Sequence, residues 1–391
     1  MQLILVIGAA QTPFNRRRDG TGFRDWACEA FEAARAMAGI DRSDIDALIV
    51  ASESDFFTLQ LNPASVLAQD FGLNEAETLR VEGGGATGQL AVHAGVERIL
   101  SGRARYVAVV GVDPSASALA GDSIRALYGY SFDFWTDGLA GVTATSLYAL
   151  SWQAFAAEHR GTGDDLNAVT IKNRGNAMCN PHAHLPRQHT SEDFADSPMI
   201  AAPYCRLHCS PLSDGAAALI LSAPDAAPDN RRNFAPQITG IGAASDLPGL
   251  GHRKAPGTFA AKTKAARRAF DMAGLSAAQI AVAEVYDAYA GAEMQAVTAL
   301  GLAEDPLRTL RDGGFDADGG CPINLSGGLM GQGAPVGATG VGQTASCALL
   351  LEGRYHAGLQ PDRPLGHALA DTHGGVGTTC AVTVLSAGAV A

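Results

Sequence analysis

Short apolar runs alternate along the chain with longer segments in which apolar residues recur every third or fourth position. Tyr106-Val-Ala-Val-Val-Gly-Val112 and Ala216-Ala-Ala-Leu-Ile-Leu-Ser222 are apolar nearly throughout, as strands buried on both faces are. The pattern predicts strands at 3–10, 46–52, 78–82, 105–112 and 216–222, with helices at 25–38, near 63–71 and at 86–101. Further on it predicts strands at 237–244, 280–286, near 367–371 and at 378–386, with helices at 259–274, 290–300 and 335–353. Such alternation implies an α/β protein with helices packed over mixed sheets.

The same unit occurs twice. Ile7-Gly8-Ala9-Ala10 reappears as Ile241-Gly242-Ala243-Ala244, and Met37-Ala38-Gly39-Ile40 as Met272-Ala273-Gly274-Leu275, at almost one offset. A shared offset points to duplicated halves. Between 115 and 200 the alternation breaks, and aromatic, His and polar residues with Pro181 and Pro186 take over. The expected organisation is an N-terminal half at 1–115 plus 201–225, a loop domain at 116–200 and a C-terminal half at 226–391. The inserted segment reads equally as a cover for a site or as a structural excursion.

A formal net charge of −12 argues against broad contact with nucleic acid or an anionic membrane. No apolar run approaches the ~20 residues that span a bilayer. The run from Met1 to Ile7 lacks a basic leader and reads as a first strand, which favours a cytoplasmic location. The seven cysteines include no C-x-x-C pair, so reduced thiols are expected rather than disulfides or zinc. His182, His184 and His189 share a Pro-containing loop, where a metal is the minor reading.

Candidate chemistry concentrates at Val81-Glu-Gly-Gly-Gly-Ala-Thr-Gly88, a strand-to-helix turn whose backbone N–H groups face the end of the strand. It resembles the nucleophile turn of the thiolase superfamily, roughly V-E-N-A-C-A-S-G. Four further stretches resemble the sterol-carrier-protein-x and archaeal thiolases. They are Lys172-Asn173-Arg174 with Asn176-Ala177 and Asn180-Pro181, Cys209-Ser-Pro-Leu-Ser-Asp-Gly-Ala-Ala-Ala218, Asn324-Leu-Ser-Gly-Gly328, and Gly333-Ala-Pro-Val-Gly-Ala-Thr-Gly340. The resemblance implies a duplicated five-layer αβαβα fold, usually dimeric, acting on acyl-CoA thioesters with no other cofactor.

The departures carry the functional information. Gly85 stands at the acyl-accepting cysteine, Ala334 at the histidine of G-H-P, and Tyr286-Asp287-Ala288-Tyr289 at H-D-A-F or N-E-A-F. In Asp371-Thr-His-Gly-Gly-Val-Gly377 either Asp371 or His373 stands at the second catalytic cysteine. Gly85 has no side chain and cannot carry an acyl group. What remains is backbone N–H at Gly85, Gly374 and Gly375 to hold an oxyanion. Tyr286, with its pKa lowered or relayed through His373 or Asp371, is the candidate acid/base, and Asp287 is either catalytic or the cap of the helix at 290. Gly84, Ala334 and Asn324 are expected around the pocket. Arg253, Lys254 and Lys262 are expected either to hold the CoA phosphates or to lie on a solvated helix face.

The set suits C–C bond cleavage through a thioester enolate, such as retro-aldol cleavage of a 3-hydroxyacyl-CoA. It is similar to thiolase-fold steroid side-chain aldolases, a likeness that implies a small OB-fold partner with a zinc ribbon. The rivals are a non-catalytic thiolase-like subunit and an acyltransferase that uses a partner's thiol.

Overall fold

The computed structural model describes residues 3–119 and 121–388, apart from the side chains of residues 122 and 125; Met1 and Gln2 lie outside it. Nine strands form one continuous mixed sheet. They are β1 (Ile4–Gln11), β2 (Ala47–Ala51), β3 (Glu77–Val81), β4 (Tyr106–Pro114), β5 (Asp214–Ser222), β6 (Gln237–Ser245), β7 (Val282–Glu284), β8 (His367–Gly374) and β9 (Thr379–Ser386). Their order is β3-β2-β4-β5-β1-β6-β9-β8-β7. Within the sheet, the two halves join where Ile4 and Leu5 of β1 pair with Ile238 and Gln237 of β6.

Helices complete five layers. α1 (Phe23–Ala38) and α2 (Pro63–Phe71) cover the outer face of the first half, where Trp26, Phe31 and Phe71 pack on Leu48, Val110 and Ile220. α3 (Thr87–Leu100) and, later in the chain, α9 (Val336–Leu351) lie between the halves, with Val92, Val96 and Val341 against strands of both. α7 (Ala260–Ala273) and α8 (Ala290–Leu300) cover the far face. Strands buried on both sides need apolar residues at every position, which is why their runs are continuous rather than alternating.

The duplication is real, but the repeated Ile-Gly-Ala-Ala is two residues out of structural register. Ala9 N–H meets Met37 Sδ at 3.4 Å, and Ile241 N–H meets Met272 Sδ at 3.4 Å, so Ala9 corresponds to Ile241 and not to Ala243. Likewise Gly8 approaches the Ala34 carbonyl as Gly240 approaches that of Ala269. A shift of two keeps the same sheet face, so the motif survives it.

β4 pairs with β5 along its whole length, so the chain between them leaves the sheet and returns beside its own start. That excursion is more helical than its sequence suggests. It carries α4 (Gly121–Tyr128), α5 (Ala144–His159) and α6 (Gly163–Ala177). In α5, Leu147, Tyr148, Trp152 and Phe155 are buried, and in α6 even Lys172, Asn173 and Arg174 are buried. With polar residues on the inner face, no clean apolar stripe shows. No helix among the described residues is long and apolar enough to cross a membrane.

Candidate active site

The turn after β3 runs through Gly83, Gly84 and Gly85 into α3. Thr87 Oγ1 donates to the Gly84 carbonyl and accepts the Gly83 N–H at 2.9 Å, fixing the turn. The end of β8 lies against it. A Cβ on Gly374 would meet Gly83 O at 2.5 Å and Gly85 N at 3.2 Å, so the expected convergence of the two backbones occurs and needs glycine at 374.

A Cβ on Gly85 would run into the carbonyl oxygen of His373 and would stand 2.6 Å from Tyr286 Oη and 2.8 Å from Tyr286 Cζ. The phenol therefore occupies the space that a side chain at 85 would need. Tyr286 follows β7 and is 6% exposed, packed with Leu329 and Ala334. Its backbone N–H donates to Asp371 Oδ2 at 3.3 Å, and its ring meets that of His373 edge-on at 4.8 Å. Burial pushes its pKa well up, helped by the charges of Glu53, Asp287 and Tyr289. The expected lowered pKa is thus incorrect: burial keeps the proton on this phenol, which leaves it able to donate a hydrogen bond.

His373 lines the cavity and Asp371 stands behind it. Tyr148 Oη donates to the Gly375 carbonyl at 2.7 Å, so at 2.8 Å it accepts from His373 Nε2. Nδ1 then accepts from Lys262 Nζ at 3.0 Å, which also pairs with Asp371. Burial and the Lys262 and Arg253 charges push the imidazole pKa far down, giving a neutral ring with both nitrogens engaged. It packs against the Tyr286 ring, and neither nitrogen is left free to act as a base.

Two residues expected to bind CoA point inward, which corrects that expectation. Lys262 is 0% exposed, sharing a helical stripe with Ala265, Ala266 and Ala269. Arg253 donates to the Val376 and Leu247 carbonyls and to Thr378 Oγ1. Lys254 is exposed. Nor does Asp287 cap the helix at 290. Its Oδ1 accepts Leu329 N–H at 2.6 Å, and its Oδ2 accepts Asn173 Nδ2 at 2.7 Å. Asn324 is fully buried, accepting Val285 N–H and donating to Glu293. It braces the segment that carries Tyr286 and does not line the cavity.

The cavity measures about 660 Å³ and is lined mainly by apolar and aromatic groups, among them Phe132, Tyr148, Tyr289, Leu329 and Ala334. Tyr289 hydrogen-bonds Thr145 at 3.0 Å, joining the excursion after β4 to the core. Exposed Ile200, Arg206 and Leu212 lie in its wall. Cys209 reaches it too, but burial raises that thiol to about 12 and Sγ donates to the Cys205 carbonyl. Sequence reasoning missed Glu53, Tyr148 and Arg206. The available signal was position: Glu53 stands just beyond the carboxyl end of β2, where open α/β sheets bind ligands. Among the described residues, no group of His, Cys, Asp and Glu forms a metal site.

A family profile described as "Thiolase C-terminal domain-like" matches residues 242–387. Across 99% of the chain and 100% of the relative, the sequence is 34% identical to a protein named acetyl-CoA acetyltransferase from Methanothermobacter thermautotrophicus. The chain belongs to the thiolase superfamily. This thiolase-like chain is also 29% identical to chicken (Gallus gallus) sterol carrier protein 2, over 90% of its own length and 66% of that protein. A solved structure described as "Ltp2-ChsH2(DUF35) aldolase" superposes with a TM-score of 0.83, at 22% identity, covering 99% of this chain and 98% of that one. The likeness to that structure is one of fold.

Proposed function

We propose that this thiolase-like protein binds an acyl-CoA and makes or breaks a C–C bond without a cysteine nucleophile, in the cleavage direction by a retro-aldol reaction of a 3-hydroxyacyl-CoA. The observation that carries the reading is Tyr286 Oη standing 2.6 Å from the Cβ position of residue 85. A protonated phenol in the nucleophile's place cannot accept an acyl group, but it can donate to the oxygen of a thioester as that oxygen becomes an enolate. Backbone N–H groups of the Gly85 and Gly374–Gly375 turns join it. Such donors act strongly in a site that excludes water. The solved structure described as an aldolase supports the same chemistry.

The phosphates of CoA are assigned to the Arg206 rim, the basic residue of the cavity wall, in place of Arg253 and Lys262. The open edge of β3 supports pairing with a second copy, and the DUF35 partner in that structure's description supports a small accessory subunit for this chain as well. The test is release of a ketone or aldehyde from a panel of 3-hydroxyacyl-CoAs, with and without such a subunit. Tyr286→Phe lowers kcat about 100- to 1,000-fold, the usual effect of removing one oxyanion donor, with unchanged folding. Full activity in that variant removes Tyr286 from the mechanism.

A further inference from the structure

Retro-aldol cleavage needs a base for the substrate hydroxyl, and neither Tyr286 nor His373 has one to offer. Resting on the reading above, we propose that Glu53 is the catalytic acid/base, taking the 3-hydroxyl proton and returning it to the α-carbon. Glu53 lines the main cavity together with Gly85 and Tyr286. It also lines a second cavity of about 500 Å³ that shares Tyr128, Ser131 and Gly375 with the first. Glu53 thus stands where the two spaces adjoin.

Its backbone is fixed. Asp113 Oδ2 accepts the Glu53 N–H at 3.0 Å and the Gly337 N–H at 2.6 Å, while Oδ1 accepts from Ser52 Oγ at 3.0 Å. The side chain is not tied down in the same way. Glu53 Oε2 is shut off from solvent and has no hydrogen-bond partner among the described residues. An unpartnered buried carboxylate oxygen carries an energetic penalty, and because Glu53 as a residue is only half-buried, a rotation of its carboxylate group brings that oxygen to a substrate hydroxyl. The groups facing it are Asp113 from β4, Glu82 from the turn after β3, Tyr128 from α4 and Tyr286 after β7. The neighbouring cation, Arg80 of β3, is taken up by the Ser52 carbonyl and Asp55, and burial, followed by the Asp113 and Glu82 charges, pushes the Glu53 pKa upward, which strengthens it as a base toward an alcohol.

The step balances. The Glu53 carboxylate takes the proton from the hydroxyl on C3, and that oxygen forms a carbonyl as the C2–C3 bond breaks. The bonding pair moves to C2 and into the thioester oxygen, where Tyr286 and the turn N–H groups hold it. Protonated Glu53 then delivers the proton to C2, and the products are a ketone or aldehyde and a shortened acyl-CoA. No oxidant and no net proton is required. The second cavity, lined by Glu53, Glu82, Ser54 and hydroxyl groups with no Lys or Arg, suits the neutral carbonyl fragment and not the polyanionic CoA.

The test compares wild type, Glu53→Gln and Glu53→Asp in two assays: cleavage of a 3-hydroxyacyl-CoA, and deuterium exchange at C2 of the shortened acyl-CoA alone. Glu53→Gln should lose 100-fold or more in kcat and in exchange, keep its KM, and lose the limb of the pH profile that rises with pH as Glu53 ionises. Glu53→Asp, with its carboxylate set back, should retain part of the activity and that limb. It also carries the test if the Gln variant does not fold. Wild-type cleavage unaffected in Glu53→Gln overturns the role of Glu53 and leaves the retro-aldol reading standing. Exchange that depends on Glu53 without cleavage supports Glu53 and overturns the retro-aldol reading. Wild type that neither cleaves nor exchanges overturns both.

Discussion

Adding a single methyl group at residue 85 tests the packing on which the whole site depends. The new Cβ in Gly85→Ala meets two neighbours, and the backbone one has no room to yield. One is the His373 carbonyl, at the end of a strand paired to β9 along its length. The other is the Tyr286 phenol, held by Asp371 at its backbone and by the His373 ring at its side. Overpacking of a close-fitted core typically costs about 1–3 kcal/mol, and a clash with backbone belongs at the upper end, ~3 kcal/mol. At about 2.1 cal/mol/K per residue, this chain of 391 residues unfolds with an entropy of about 0.8 kcal/mol/K. The melting temperature therefore falls by about 4 °C.

Scanning calorimetry reads that shift, and the double variant Gly85→Ala/Tyr286→Ala separates its sources. Removing the ring relieves one of the two contacts, so the double variant should lose less than the sum of the singles by about 0.5–3 kcal/mol. Gly85→Cys should be destabilised likewise and should show no thiolysis, because its sulfur has no place to lie. A Gly85→Ala protein with unchanged melting temperature and activity, or thiolysis restored in Gly85→Cys, would refute the packing argument.

Two further outcomes follow from the charges. Lys262→Met leaves Asp371 as an uncompensated buried carboxylate and should cost about 3–5 kcal/mol by denaturant titration, while acyl-CoA affinity in the folded fraction stays the same. Arg206→Ala should leave the melting temperature in place and weaken acyl-CoA binding measured calorimetrically, most clearly at low salt.

The strands and the helices of both halves could be read from the sequence because burial on two faces writes continuous apolar runs. α6 could not, since its buried face carries Lys172, Asn173 and Arg174 in a polar network rather than an apolar stripe, and α5 blurs its own stripe by burying Ser151 and exposing Leu150. Lys262 was misread for a related reason. A cluster of basic residues looks solvated, and only its spacing with Ala265, Ala266 and Ala269 signals that it turns inward. The lost nucleophile was plain at Gly85. That a phenol fills its space was not, because Tyr286 comes from the other half of the duplication and only packing brings the two together.

Intact-protein mass spectrometry during turnover of a 3-hydroxyacyl-CoA tests the central claim most directly. The account predicts a carbonyl product and a shortened acyl-CoA in equal amounts while the chain keeps its unmodified mass. An acyl-sized mass increase on this chain that appears and decays with turnover would contradict it.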